Sequence, residues 1–122
     1  AHDNRPKKCL FTMMTFSTRY PKKCGIVKKN KNNILIDYIE KPKNPKSNIA
    51  NAAVFLLSKE FLHDLIINKK NYKDFSKDLI KDYIGKIFTY HVEGYFTDIG
   101  SKDSLKEARK YAYEYFKKKL YK

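Results

Sequence analysis

The stretch from Cys9 to Phe16 is an unbroken run of apolar and β-branched residues, Cys9-Leu10-Phe11-Thr12-Met13-Met14-Thr15-Phe16. A strand that faces water on one side alternates polar and apolar residues, whereas a run without alternation reads as a strand buried on both faces. Such a strand needs a neighbour on each side and cover above and below. The chain must therefore build a sheet with other elements packed on it.

The rest of the sequence supplies candidates. Tyr20-Pro21-Lys22-Lys23 is turn-like, Cys24 to Val27 is a short strand, and the polar stretch Lys28 to Asn33 turns into a second arm from Ile34 to Ile39. Pro42, Asn44, Pro45 and Ser47 mark a loop, and Ala52 to Leu57 is a second buried-strand candidate. Ser58 is placed to cap a helix over 59–67, with Phe61, Leu62, Leu65 and Ile66 at helical spacing. Asp74 or Ser76 opens a further short helix with Leu79, Ile80 and Tyr83 on one face and Gly85 as its stop. Short strands are expected over Ile87 to Tyr90 and Tyr95 to Thr97. Ser101 then caps a last helix in which Leu105, Ala108, Ala112, Tyr115 and Leu120 keep the helical period, with Lys117 to Lys119 at its negative end. Buried strands alternating with helices predict an α/β fold: a mixed sheet, flanking helices and a small antiparallel hairpin.

At 122 residues the chain amounts to a single domain, 1–122, able to bury a modest core. Lys and Arg total 27 against 13 Asp and Glu, a formal charge of +14 that favours anionic company such as nucleic acid, a membrane surface or phosphorylated small molecules. Only Arg5, Arg19 and Arg109 are arginines, so the charge resides on Lys, which suits point-charge attraction better than bidentate base reading. A Lys-, Asn-, Ile- and Tyr-rich composition from an A+T-rich genome explains the same excess without function. Cys9 and Cys24 have no Cys-x-x-Cys or His pair beside them, which points to a reduced, cytoplasmic protein rather than a metal site. No apolar run approaches the roughly 20 residues that span a bilayer, so no membrane association is expected.

Three short patterns then occur in order: Glu40-Lys41-Pro42, Asn51-Ala52-Ala53, and Val92-Glu93-Gly94-Tyr95-Phe96-Thr97-Asp98-Ile99-Gly100. Each alone is weak. Their joint order and the linking text, from Cys24-Gly25-Ile26-Val27 to Asp74-Phe75, resemble the second half of the sugar-1-phosphate nucleotidyltransferases. The resemblance runs from Leu10 to Ala108 and looks nearest to the heptose- and mannose-1-phosphate guanylyltransferases. It implies the carboxy-terminal, sugar-phosphate-binding portion of a Rossmann-like nucleotide-diphospho-sugar transferase fold. The phosphate-cradling Gly-Gly-x-Gly-x-Arg loop that opens such enzymes does not occur among the four scattered glycines. The resemblance thus implies an incomplete domain, inactive alone, whose partner is the missing N-terminal half of the enzyme.

The family's reaction is attack by a sugar 1-phosphate on the α-phosphorus of a nucleoside triphosphate, GTP in the guanylyl subgroup, with release of pyrophosphate. Such chemistry asks the protein mainly to position groups and neutralise charge. By the resemblance, Asp98 is the metal ligand for Mg2+, Lys41 binds the sugar's phosphate, Glu40 accepts hydrogen bonds from sugar hydroxyls, and Asn51 touches the sugar. No residue of this chain is implied as catalytic. Each position also has a plainer reading. Asp98 can cap the turn before the last helix, Glu40 and Lys41 can be solvated ends of a strand, and Asn51 can bond nearby backbone. Phe96 stands where the family often has Trp and keeps an apolar wall. The family commonly has Gly at one of the two positions after the Asn, where a missing side chain leaves room for sugar; Ala52 and Ala53 stand here.

Geometry adds two expectations. Pro42 restricts Lys41 to extended backbone. In a regular strand Glu40 and Lys41 point to opposite faces, so one ligand can use both only if the chain bends there. Structural or solvent roles are expected for His63 and His91. The aromatic residues Tyr111, Tyr113, Tyr115, Phe116 and Tyr121 crowd the last helix among lysines, where amphipathic packing accounts for Tyr111 and Tyr115. Two further functions compete. One is a small basic nucleic-acid-binding module, against which stands the lack of any helix-turn-helix, zinc-finger or RNA-recognition signature. The other is a catalytically degenerate interaction domain of the same fold. A homo-oligomer is left open. An incomplete domain would also expose a long apolar edge along 10–16.

Overall fold

The computed structural model of the chain describes residues 1–68 and 72–120; the side chain of Leu120 and all of Tyr121, both named above, lie outside the described residues. The strands are β1 (Phe11–Ser17), β2 (Gly25–Lys29), β3 (Leu35–Glu40), β4 (Ile49–Leu57) and β5 (Ile87–His91). They form one mixed sheet in the order β3-β2-β4-β1-β5. The apolar run is its interior strand: β1 pairs antiparallel with β4 and parallel with β5. Both neighbours come from this chain, so the exposed apolar edge expected along 10–16 is absent.

The edges of the sheet also approach each other. The turn between β2 and β3 reaches β5, where the Thr89 N–H donates to the Asn33 carbonyl at 2.7 Å and the Gly85 N–H to the Leu35 carbonyl at 2.8 Å. Thr89, buried by this closure, gives its hydroxyl to the same Asn33 carbonyl at 2.9 Å.

Helix α1 (Lys59–Ile67) begins where Ser58 accepts a hydrogen bond from the Phe61 N–H. Of the four apolar residues expected on its inner face, Phe61 is buried and Leu65 packs on the core, while Leu62 and Ile66 face solvent. Asp74 caps the next helical segment by accepting from the Lys77 N–H. That segment starts with a wide π-helical turn, Phe75–Leu79, and runs into α2 (Ile80–Asp82). Leu79, Ile80 and Tyr83 are buried as the periodicity requires, and Gly85 ends the segment at φ 86°, a left-handed backbone suited to glycine.

Phe11 anchors the main core. Its ring lies 5.1 Å from that of Phe61, centroid to centroid, and within 6.3 Å of Phe55, Phe75 and Tyr83. Burying each such side chain contributes about 1.5–3 kcal/mol. A smaller cluster of Phe16, Ile26 and Ala50 sits at the other end of β1, with Phe96 and Val92 packed against it.

Three further expectations fail. β4 is not buried on both faces: Val54 is 44% and Leu56 54% exposed. Tyr95 to Thr97 is a loop, because Gly94 at φ 104° turns the chain away from the sheet. The last helix, α3 (Lys102–Leu120), is capped by Ser101 as expected, yet none of its described residues is buried. Tyr111 instead stacks on Tyr95 of the loop at 3.9 Å.

Candidate functional site

The carboxyl end of β3 carries the first site residue. Gly25 of β2 pairs with Glu40 of β3, and Val27 with Tyr38. Residues two apart share a face of a strand, so Tyr38 and Glu40 project together beside Gly25. A cross-strand diagonal lies within reach of an aromatic side chain, and the Tyr38 ring occupies the space over Gly25: a Cβ there would fall 2.0 Å from the phenolic oxygen. The Tyr38 hydroxyl donates to Glu40 Oε2 at 2.5 Å. Burial, and then this hydrogen bond, hold the phenol well above its ordinary pKa of 10, so it stays a donor at neutral pH.

Immediately after Glu40 the strand breaks. Lys41 has φ 45°, in the left-handed region, rather than the extended backbone expected before Pro42, and its N–H donates to the Cys24 carbonyl at 3.1 Å. That hydrogen bond extends the β2–β3 pairing by one step and holds Lys41 in a conformation costing about 1–2 kcal/mol for a residue with a Cβ. The bend that would let Glu40 and Lys41 serve one ligand is therefore present.

A second irregularity lies on β4. The β1–β4 register shifts between Met13↔Phe55 and Thr15↔Asn51, leaving Ala52 to Val54 as a bulge. Ala53 takes φ 56° there, and Asn51 Oδ1 accepts from its N–H at 2.9 Å. Of the two positions after Asn51, the second is thus left-handed, a backbone conformation that glycine adopts more readily than alanine. Asn51 Nδ2 reaches Ser76 Oγ at 3.5 Å, and both side chains line the same cleft as Tyr38.

The loop after β5 closes the third side. Phe96 packs on Phe16 with ring centroids 4.8 Å apart, the apolar wall expected of it. Asp98 forms a turn in which Oδ1 accepts from the Gly100 N–H at 3.2 Å. The capping reading of Asp98 is realised, and Oδ2 is left as an exposed oxygen donor; a Cβ at Gly100 would sit 3.0 Å from it.

These pieces surround a cleft of about 360 Å³ lined by Glu40, Asn51, Asp98, Tyr38, Ser76 and Lys23, among others. Three of the four residues singled out from sequence converge on it. Lys41 does not line it and is exposed at its rim, whereas Lys23, from the turn before β2, does. Tyr38 was findable, since the alternation of β3 puts it on the face of Glu40. Ser76 was not, because it arrives by packing of a distant turn. His91, as expected, serves structure: its ring bonds the hydroxyls of Thr15 at 3.2 Å and Ser17 at 3.4 Å. Among the described residues, no three His, Cys, Asp or Glu side chains gather as a metal site, and no helix is long and apolar enough to cross a membrane.

The sequence profile of the nucleotidyl transferase family matches residues 1–114. The chain belongs to that family. It is 33% identical over 105 residues to a glucose-1-phosphate adenylyltransferase of Fervidobacterium nodosum, covering 81% of this chain and 24% of the relative. To a glucose-1-phosphate adenylyltransferase of Clostridium botulinum it is 34% identical over 91 residues, covering 69% of this chain and 24% of the relative. The chain thus spans about a quarter of the length of these relatives. Its fold matches the crystal structure of a Bacillus anthracis protein assigned as a glucose-1-phosphate thymidylyltransferase, solved with sucrose, at a TM-score of 0.68 and 23% identity over 87% of this chain and 44% of that one. The expected α/β class, with its mixed sheet, flanking helices and antiparallel hairpin, is the fold observed.

Proposed function

We propose that this chain is the sugar-phosphate-binding part of a sugar-1-phosphate nucleotidyltransferase, which joins a nucleoside monophosphate from a nucleoside triphosphate to a sugar 1-phosphate and releases pyrophosphate. The observation that carries the reading is the convergence of Glu40, Asn51 and Asp98 on one cleft in a chain that belongs to the nucleotidyl transferase family. Glu40, with Oε2 held by Tyr38, offers Oε1 to a sugar hydroxyl. Asn51 presents its amide beside it. Lys41 at the rim and Lys23 on the lining are the cations for the phosphate.

Asp98 fits one ligand position of Mg2+, which takes hard oxygen donors and is commonly held by one or two carboxylates with phosphate oxygens and water. When bound, the ion neutralises charge on the phosphates. The remaining donors and the nucleotide pocket belong to the N-terminal half that we propose as the partner of this chain, the domain being complete only with it.

The relatives named above act on glucose 1-phosphate with adenylyl or thymidylyl transfer, and none supports the guanylyl, heptose or mannose subgroup suggested by the short motifs. Glucose 1-phosphate is therefore the first probe, with mannose 1-phosphate as comparator. Calorimetric titration of the 122-residue chain with glucose 1-phosphate should show saturable binding that Glu40→Gln and Asn51→Ala each weaken. Binding indifferent to both substitutions would reject the assignment. No binding of either sugar phosphate, together with salt-sensitive binding of single-stranded DNA, would favour the nucleic-acid reading instead.

A further inference from the structure

We infer that Tyr38 is a positioning residue for sugar recognition: its hydroxyl locks the Glu40 carboxylate in place beside the Asn51 amide on the floor of the cleft. The inference rests on the proposed sugar-phosphate site. Tyr38 is 5% exposed, and its one hydroxyl proton is given to a neighbouring side chain rather than to a ligand. The O–H is given to Glu40 Oε2, and the Asn51 and Ser76 side chains share the cleft lining with Tyr38. Ser76 in turn takes Asn51 Nδ2. A phenolic group has one proton to donate, and Tyr38 spends it on Glu40.

That leaves the two flanking side chains with defined free valences. Glu40 keeps Oε1 as an acceptor, and Asn51, whose Oδ1 is engaged by the Ala53 N–H and one of whose two amide protons goes to Ser76 Oγ, keeps the other proton as a donor. An acceptor and a donor fixed side by side match the vicinal hydroxyls of a sugar, each of which can donate and accept. A glutamate at the end of a strand would otherwise sample several rotamers, and ordering a long polar side chain on binding costs of order 1 kcal/mol or more. The ring itself is held against rotation by the glycine opposite, because the contact over Gly25 leaves room for the phenol and for no added atom. Tyr38 thus makes the ordering cost part of folding rather than of binding.

The test is solution NMR with titration on the whole 122-residue chain. In the wild type, a slowly exchanging Tyr38 hydroxyl proton should show cross-peaks to the Glu40 methylenes, and three-bond couplings should report single χ1 rotamers for Glu40 and Asn51. In Tyr38→Phe, which keeps the ring, the Glu40 couplings should average while those of Asn51 persist, and glucose 1-phosphate should bind roughly ten-fold more weakly, the loss of one charge-assisted hydrogen bond's worth of order. Unchanged Glu40 couplings in Tyr38→Phe, or no hydroxyl cross-peak in the wild type, would overturn the inference. If the wild type binds no sugar phosphate, the proposed function falls, while the couplings still decide the role of Tyr38.

Discussion

Gly25 and Tyr38 face each other across the β2–β3 pair so closely that a Cβ on the glycine would stand 2.0 Å from the tyrosine hydroxyl and 2.5 Å from its ring carbon Cζ. Neither backbone can retreat, because Gly25 is paired with Glu40 and Val27 with Tyr38. Gly25→Ala must therefore push the ring off the cleft floor. We expect a loss of about 1–3 kcal/mol, the usual range for overpacking, read as a lower urea midpoint. Tyr38→Phe should rescue little, since Cζ still collides, whereas Tyr38→Leu should rescue more; additive losses in the double-mutant cycle would show that the two positions do not clash.

Ala53 makes the opposite case, a side chain where the backbone prefers none. At φ 56° an alanine carries a left-handed penalty of about 1–2 kcal/mol, partly offset by the greater freedom glycine has when unfolded. Ala53→Gly should stabilise the chain by about 0.5–1 kcal/mol in denaturant unfolding. A lower midpoint would mean that the bulge adapts and that the left-handed conformation is not fixed.

How far the sequence discloses the site follows from which residues are local. Phe11 to Phe16 declares an interior strand because burial on both faces abolishes alternation, and Ser58, Asp74 and Ser101 declare helix starts because capping is a local bond. Glu40, Asn51 and Asp98 were legible by motif. The bend at Lys41 was not: Pro42 argues for extended backbone, and a tertiary hydrogen bond to Cys24 overrides it. Nor was the exposed face of β4, since a buried strand and a half-covered one share the same apolar composition. Helix α3 shows the same limit, its period being real and its burial slight.

Alkaline titration should isolate Tyr38. Its phenol ionises above the ordinary value of 10 in the folded chain, so the folded state holds a proton that the unfolded state releases. The stability this contributes is complete below pH 10 and declines as pH rises through and beyond that value. Of the 10 tyrosines, Tyr38 should give the last step in absorbance, coupled to loss of structure, and Tyr38→Phe should delete that step. A full phenolate signal with circular dichroism unchanged would contradict the buried network.

The two cysteines offer a check on the cleft itself. Cys9 is 2% exposed and burial pushes its thiol pKa up, so little thiolate is presented. Cys24 is half-buried on the cleft lining beside Gly25, with Sγ 3.7 Å from Thr18 Oγ1. Iodoacetamide should therefore alkylate Cys24 well before Cys9, which should react only as the chain unfolds. Because the adduct would project among Glu40, Asn51 and Asp98, glucose 1-phosphate should slow the reaction at Cys24, and the modified chain should no longer bind it. Equal rates at both thiols would mean that β1 opens readily, and alkylation of Cys24 that leaves binding intact would place the sugar elsewhere.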